Sequence, residues 1–223
     1  MIERKFVGEK LKEYQIQEFI SKTLKNVGHS HIRLVRTPLG EKIMIYASRP
    51  GLVVGRKGEN IKKLTKTLKK KFELENPQIE IVEVENPNLD AQIVAERIAS
   101  TLERFGIQKF KGVGHKTMQD VMNAGALGIE ILISGKVPSA RAKSWRFYTG
   151  YLKKCGNISL EGVRRAQALA VLKVGTVGVR VAIVPPDIKI HEKLKLEEKP
   201  VEVVEEVKEE KAEEKSKAPV EEK

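Results

Sequence analysis

Apolar residues recur along the chain with two spacings, one typical of helices and the other typical of strands. Between residues 9 and 24 they recur every three or four positions among charged residues, which predicts an amphipathic helix. The segments HIRLVRT and IMIYAS alternate apolar and polar residues on either side of PLGEK, which predicts a β-hairpin. The first part of the chain is therefore expected to form a helix followed by a hairpin.

A further helix, strand and helix are predicted up to residue 105. The apolar face of the first of these helices is marked by Ile61, Leu64, Leu68 and Phe72, and the segment IEIVEVE then alternates like a half-buried strand. Apolar residues between positions 91 and 105 again recur at helical spacing, and Asn88 is the predicted N-cap of that helix. We expect residues 1–106 to form a first domain.

Residues 107–190 predict a second domain in which a helix packs on a mostly antiparallel sheet. The helix covers most of QKFKGVGHKTMQDVMN and is followed by glycine. Strands are predicted in IEILISG, ARAKSWRFYTGYLKK, VRRAQALAVL and VRVAIVPP, with a turn at KVGTVG. The predicted fold class is α+β.

The last segment, residues 191–223, differs sharply in composition from the rest. It holds twelve Glu and eight Lys with little apolar material, which predicts a disordered tail. The preceding residues carry 34 basic and 18 acidic side chains, a net charge of +16. Such a basic body attracts polyanions, nucleic acid foremost, with a membrane surface as the alternative.

Targeting signals are not expected in this chain. No apolar run approaches the ~20 residues that span a bilayer, and the first residues lack the apolar core of a signal peptide. We therefore expect a cytoplasmic protein that binds no membrane.

Side chains that often perform catalysis or bind metals are few and scattered. Cys155 is the single cysteine, and the Cys and His positions lack metal-ligand spacing. His29 and His31 are expected to be surface residues of a basic loop, and Asp120 and Glu130 are not placed as a catalytic pair. We expect no metal site, no cofactor, no small-molecule substrate and no enzyme activity.

The segment GLVVGRKGEN places Gly55 and Gly58 on either side of Arg56 and Lys57, directly before a lysine-rich helix. Glycine accepts positive φ and lets the backbone approach a ligand closely. The start of a helix offers unpaired N–H groups and the positive end of the helix dipole. This loop therefore predicts a phosphate clamp, and a plain structural turn is the alternative.

Two further groups of basic residues are candidate RNA contacts. Lys62 and Lys63 follow the loop as point charges suited to phosphates, although lysines on a helix are also typical of a solvated face. The second group stands beside aromatic residues in strand-forming sequence and suits RNA backbone and unstacked bases: Arg141, Lys143, Arg146, Arg164 and Arg165. In the alternative interpretation the aromatic residues alternate into the core, which we expect for Phe147.

Several segments resemble a known family. VVGRKGENIKKL resembles the core of a KH domain, whose Gly-x-x-Gly loop grips the backbone of a few nucleotides. The order helix, two strands, short helix, loop, helix and strand matches the type II arrangement, which implies a three-stranded mixed sheet with helices. GALGIEILISGKVPSARAKSWRFYTGYLKKCG and VLKVGTVGVRVAIVPP resemble the C-terminal domain of the small-subunit ribosomal protein three family. The resemblance covers residues 1 to 190, and VPSARAKSWRF is similar to the archaeal and eukaryotic branch.

The resemblance implies an RNA-binding structural protein in the head of the small ribosomal subunit. Its partners would be ribosomal RNA, mRNA at the entrance to the subunit and neighbouring ribosomal proteins. In the family a basic face on the helix that opens the C-terminal domain is associated with structured mRNA. Here that stretch carries Lys109, Lys111, His115 and Lys116, with Gly112 at a usually basic position. Two alternatives are a chaperone or regulator of free RNA and, from an activity credited to eukaryotic relatives, a DNA-damage lyase.

Overall fold

The computed structural model describes residues 2–24, 27–37, 40–74 and 76–188. The helices are α1 (Ile2–Thr23), α2 (Pro50–Val54), α3 (Glu59–Phe72), α4 (Ala91–Phe105) and α5 (Phe110–Asn123). The strands are β1 (His29–Thr37), β2 (Gly40–Ala47), β3 (Gln78–Glu83), β4 (Gly128–Gly135), β5 (Lys143–Gly150), β6 (Arg164–Leu172) and β7 (Gly175–Val184). The predicted disordered tail, residues 191–223, lies outside the described residues.

A three-stranded sheet in the order β1-β2-β3 forms the first part of the structure. β1 and β2 pair antiparallel, so the predicted hairpin is confirmed, and β3 lies parallel to β2. The sheet is therefore mixed, as the type II KH resemblance implies. Its inward side chains pack against α1 and α3 in a first core that includes Ile16, Ile20, Ile43, Ile45, Leu64 and Leu68.

A four-stranded sheet in the order β5-β4-β7-β6 forms the second part. All three strand pairs are antiparallel, which confirms the predicted sheet type. The inward residues Ile129, Ile131 and Ile133 of β4 are fully buried, and inward residues of β5, β6 and β7 complete this second core together with α4 and α5. Because side chains alternate along each strand, the residues between these isoleucines point to the opposite face.

Helix α4 packs on the second sheet, although the sequence pattern places it in the first domain. Val94, Ala95, Ile98 and Leu102 are fully buried members of the second core. The domain division at residue 106 stays a prediction, but the boundary between the two cores lies before α4.

The predicted N-cap of α4, Asn88, is wrong. Pro87 opens a short 3₁₀ turn that includes Asn88, so the extended residue before the helix is Asp90. The Asp90 carboxylate accepts a hydrogen bond from the Gln92 backbone N–H at 3.2 Å. Asn88 instead uses its side-chain oxygen to accept a hydrogen bond from Arg97 Nη1 at 2.8 Å.

Helix α5 approaches the second sheet closely because Gly114 faces Phe147. A Cβ atom at Gly114 would lie 3.0 Å from the Phe147 ring, which is itself buried between Phe110 and His115. A Cβ atom at Gly112, in the same helix, would meet nothing within 4 Å. Close packing against Phe147 therefore favours glycine at position 114, whereas packing sets no such limit at position 112.

We predict that Gly114→Ala and Gly112→Ala change the free energy of unfolding in opposite directions. Gly112→Ala should raise it by about 0.5–1 kcal/mol because alanine is the better helix former. Gly114→Ala should lower it, since overpacking a core costs about 1–3 kcal/mol and exceeds the gain in helix propensity. Urea unfolding of both variants measures the difference, and equal stabilisation by both would contradict the tight contact with Phe147.

Candidate nucleic-acid interface

The loop at residues 55–58 joins two helices through left-handed backbone conformations. Helix α2 ends at Val54, its C-cap Gly55 has a φ of 71°, and a 3₁₀ turn over Arg56–Gly58 leads into α3. Gly58 has a φ of 72° and Lys57 a φ of 52°. Glycine adopts such angles without steric cost, whereas for lysine they cost about 1–2 kcal/mol. The turn thus holds Lys57 in an unfavourable conformation, as often occurs at binding loops.

The two glycines of the loop differ in what surrounds them. A Cβ atom at Gly55 would lie 2.6 Å from the Asn60 side-chain nitrogen, which donates a hydrogen bond to the Leu52 carbonyl at 3.2 Å. A Cβ atom at Gly58 would meet nothing within 4 Å. Gly55 is therefore required by both packing and backbone angle, and Gly58 by backbone angle alone.

The start of α3 is open and basic. Its N-cap is Gly58, which has no side chain to cap the first N–H groups. Arg56 and Lys57 are exposed beside it. Lys62 and Lys63 continue the exposed basic surface one turn further, and Lys63 forms only a long ion pair of 3.8 Å with Glu59. The positive charges and the helix dipole therefore act in the same direction on an anion at this loop.

A second basic surface is the face of the four-stranded sheet that points away from α4 and α5, which we call the outer sheet face. It includes Arg146 and Tyr148 of β5, Glu130 of β4, Arg180 of β7 and Arg165 of β6. In register, Leu132 of β4 stands between Arg146 and Arg180. The Arg146 guanidinium lies 4.8 Å from the centre of the exposed Tyr148 ring.

Of the five predicted residues of the second group, the structure places Arg146 and Arg165 on the outer sheet face and the other three elsewhere. Arg141 and Lys143 are exposed at or before the start of β5, and Arg164 and Arg165 begin β6 at the opposite sheet edge. Arg164 and Arg165 also make contacts of their own, to the Leu89 carbonyl at 3.5 Å and to Ser159 Oγ at 2.5 Å. Of the three aromatic side chains beside Arg146, Phe147 is buried as expected, Trp145 is half-buried and Tyr148 is exposed.

Arg146 is partly neutralised by an acidic neighbour. Glu130 accepts hydrogen bonds from Arg146 Nε and from Lys154 Nζ, the latter at 3.1 Å. Burial alone would raise the pKa of Glu130, but these two cations outweigh it and hold that pKa below its ordinary value. The stabilisation from this pairing is therefore present above the ordinary carboxyl pKa and is lost as the pH falls through the lowered one.

The third basic surface lies on α5 and on Lys109 directly before it, and its exposed residues are Lys109, Lys111, His115 and Lys116. Lys111 and His115 are four residues apart, so they lie on the same side of the helix, with Gly112 exposed beside them. Lys111 Nζ lies 5.2 Å from the centre of the Trp145 ring, and the His115 ring meets Phe147 edge-on at 5.3 Å. Part of this face is therefore fixed against aromatic side chains of β5.

Two family models match the chain. The KH domain model matches residues 15–89, and the model of the ribosomal protein S3 C-terminal domain matches residues 98–183. A small ribosomal subunit protein uS3 from Methanocaldococcus jannaschii is 46% identical over 198 residues, which are 89% of this chain and 94% of that protein. The chain belongs to the ribosomal protein S3 family.

Other similar archaeal members of the S3 family have comparable coverage. The uS3 protein of Methanococcus maripaludis strain C5 is 44% identical over 87% of this chain and 91% of its own length. The uS3 protein of Methanoculleus marisnigri is 40% identical over 85% of this chain and 80% of its own length. The archaeal S3 resemblance and the KH resemblance are both confirmed.

The two family matches of S3 divide the basic surfaces between them. The loop at residues 55–58 and the start of α3 lie in the KH match, and the outer sheet face and α5 lie in the C-terminal match.

Within the described residues no group of three or more His, Cys, Asp or Glu side chains could hold a metal ion. Among the described helices, none is both long and apolar enough to cross a membrane.

Two features of this S3 family member were missed by the sequence pattern. Arg180 belongs to the outer sheet face and was not predicted as a site residue. Its charged side chain between the apolar residues of VRVAIV indicates a strand position that faces away from the core. His29 and His31 belong to β1 and not to a loop, and of the two only His31 is exposed as predicted. His29 is buried with Nε2 at 2.9 Å from Ser21 Oγ and Nδ1 at 3.2 Å from Glu96 Oε1.

We predict that Glu130→Gln strengthens RNA binding by the outer sheet face. The substitution removes a carboxylate and leaves Arg146 and Lys154 free to approach phosphates, so affinity should rise about two- to tenfold at low salt. Filter binding of a small-subunit ribosomal RNA fragment measures this change. The control is Glu18→Gln on α1, which removes the same charge and releases Lys22 from a 2.6 Å ion pair. An equal gain in the control would assign the effect to net charge.

Proposed function

We propose that this chain is a structural constituent of the small ribosomal subunit that binds ribosomal RNA in the subunit head. The observation that carries this proposal is the exposed Arg56–Lys57 pair, set between two glycines with positive φ at an uncapped helix start. Membership of the ribosomal protein S3 family supports it, since the relatives are named as proteins of the small subunit. The proposed location is the cytoplasm, and the proposed role is structural, so the lyase alternative is not retained.

Binding would occur mainly through phosphates. The exposed cations of α3 are lysines, which suit phosphate groups and do not read base edges. Arginine is present on the outer sheet face, where a planar guanidinium and the exposed Tyr148 ring also suit unstacked bases. Affinity would therefore depend on shape and charge more than on base sequence, and it would fall steeply with salt.

Neighbouring ribosomal proteins are the second class of partner in this proposal. The first turns of α1 expose large apolar side chains, with Ile2 67%, Phe6 63% and Val7 59% exposed. Such side chains gain little from contact with phosphates and much from contact with an apolar protein surface. The N-terminal half of α1 therefore fits a protein neighbour better than an RNA helix.

We further propose that the α5 face contacts mRNA at the entrance of the subunit. Its exposed Lys109, Lys111, His115 and Lys116 offer three full charges and one histidine to a passing RNA backbone. Gly112 leaves an uncharged gap on this face. The contact is therefore expected to be weaker than one made by a continuous row of cations.

Changing Arg56 and Lys57 together to Asp should weaken binding to small-subunit ribosomal RNA fragments and reduce its salt dependence. Because two phosphates would no longer be neutralised, the slope of log K against log salt should become shallower by about 2. Titrations at several salt concentrations measure both quantities. The matched control is Lys69→Asp with Lys70→Asp, which makes the same change of charge at the far end of α3.

Equal losses of affinity in both double variants would mean that the loop contributes only through net charge.

A sedimentation experiment separates the two remaining functional classes. In cells, a chain that sediments with small subunits at high salt is a subunit constituent, and recovery only with free RNA would favour the chaperone alternative.

Gly112→Lys should strengthen the mRNA contact by filling the gap in the α5 face. Gly112 is exposed and a Cβ atom there meets nothing within 4 Å, so a side chain can leave the helix at this position toward solvent. One added phosphate contact should raise the affinity of small subunits for a structured mRNA a fewfold at low salt. Subunits reconstituted with the variant, compared with Gly112→Gln subunits, measure the effect of charge alone. Equal affinity for the two would contradict the proposed mRNA contact.

A further inference from the structure

A cavity of about 340 Å³ lies where α4 meets the first core, and we call it the junction cavity. One wall is formed by α4, and the opposite wall includes Gly28, Ser48 and Arg49. Its volume falls within the ~300–1,000 Å³ typical of sites for small ligands. None of the basic surfaces described above includes this cavity.

Helix α4 has a polar face that lines the cavity. The polar residues of α4 that line the cavity recur at helical spacing and include Arg97, Ser100, Thr101 and Arg104, with the apolar Ile93 at one end. The opposite face of α4 is buried in the second core. Together with Arg49, the helix brings three guanidinium groups to one site. Arginine suits phosphate because its planar N–H groups can donate two parallel hydrogen bonds.

Arg97 is only partly satisfied by the protein. Its Nη1 donates to Asn88 Oδ1 at 2.8 Å, whereas Nε and Nη2 are buried and have no hydrogen-bond partner in the described part of the chain. These two nitrogens form the side-on edge of the guanidinium, which is the edge that binds an oxyanion through two bonds. Buried N–H groups in folded proteins are nearly always paired, so Arg97, which lines the cavity, gains from a side-chain shift that brings this edge to an acceptor there.

Glu96 gives the cavity a second kind of polar group. Its Oε1 accepts a hydrogen bond from Gln92 Nε2 at 3.0 Å, and its Oε2 is buried without a partner among the described residues. A carboxylate repels a bare phosphate but accepts hydrogen bonds from ribose hydroxyls and base amino groups. Val27, Pro87 and Ile93 add apolar surface against which a sugar or base can pack.

We propose that the junction cavity holds one phosphate-bearing nucleotide. The exposed Arg49 and Arg104 bind the phosphate, and on binding Arg97 and Glu96 turn their unpaired atoms into the cavity, Arg97 toward the phosphate and Glu96 toward the ribose or base. The nucleotide belongs either to an RNA strand or to a free nucleotide. The first case rests on the proposed RNA-binding function, whereas the second does not.

The test is a titration of the ¹⁵N-labelled 223-residue chain, followed by NMR through the backbone amides of Gly28, Ser48, Ser100 and Thr101. The probes are adenosine monophosphate, adenosine, and a single-stranded RNA of about ten nucleotides. The monophosphate, the RNA or both should shift these amides, and adenosine should bind about tenfold more weakly than the monophosphate wherever the monophosphate binds, because adenosine lacks the phosphate. Equal binding of the two would overturn phosphate recognition.

Arg49→Gln with Arg104→Gln is the informative variant, since both residues are exposed and Arg97, which contacts Asn88, stays intact. It should weaken the cavity shifts about tenfold. The control is Arg4→Gln with Lys5→Gln on α1, which removes two exposed charges away from the cavity. Equal weakening by the control pair would overturn the assignment of the arginines.

The probes also separate the two sources of the nucleotide. Shifts with the RNA but not with the monophosphate assign a strand, and the reverse assigns a free nucleotide. If no probe shifts these amides, the cavity is a solvated groove and the proposal is wrong. RNA affinity measured on the same samples shows independently whether the proposed function stands.

Discussion

The packing of α4 on β6 and β7 is the contact on which the arrangement of the basic surfaces depends. Val94, Ile98 and Leu102 are fully buried there, and burial of each such side chain contributes about 1.5–3 kcal/mol relative to exposure. The same helix turns its polar face toward β1, where Glu96 lies beside His29. An amphipathic helix with partners on both faces therefore holds the first core beside the second.

Alternation within each sheet explains why the structure has separate binding surfaces. Helices cover one face of the four-stranded sheet because its inward residues are apolar. The other face is left to arginines whose charge no helix could bury cheaply. Glu130 shows that even this surface is balanced locally, since one carboxylate holds both Arg146 and Lys154. The number of basic residues in the sequence thus overstates the charge that is available to a phosphate.

The spacing of apolar residues alone predicted much of the fold, and each prediction that failed has its own physical reason. Helices and strands were predictable because the period of apolar residues differs between them. Strand order was not, so the arginines of β5 and β6 looked like one group although β4 and β7 separate them. His29 looked polar and exposed because a sequence does not show that Ser21 and Glu96 lie beside it. The cap at Asp90 was missed because a proline turn shifted the start of the helix.

The left-handed backbone at Lys57 bears on how the loop can vary among related sequences. Asparagine and glycine adopt this conformation more readily than lysine, whereas valine, isoleucine and threonine are strongly disfavoured there. Glycine or asparagine at position 57 would therefore relieve the steric cost while removing a charge. Gly55 has no such freedom, because Asn60 occupies the space of a side chain. Lineages can consequently lose the cation and keep the turn, so the presence of a lysine at this position is a better record of selection for binding than the glycines beside it.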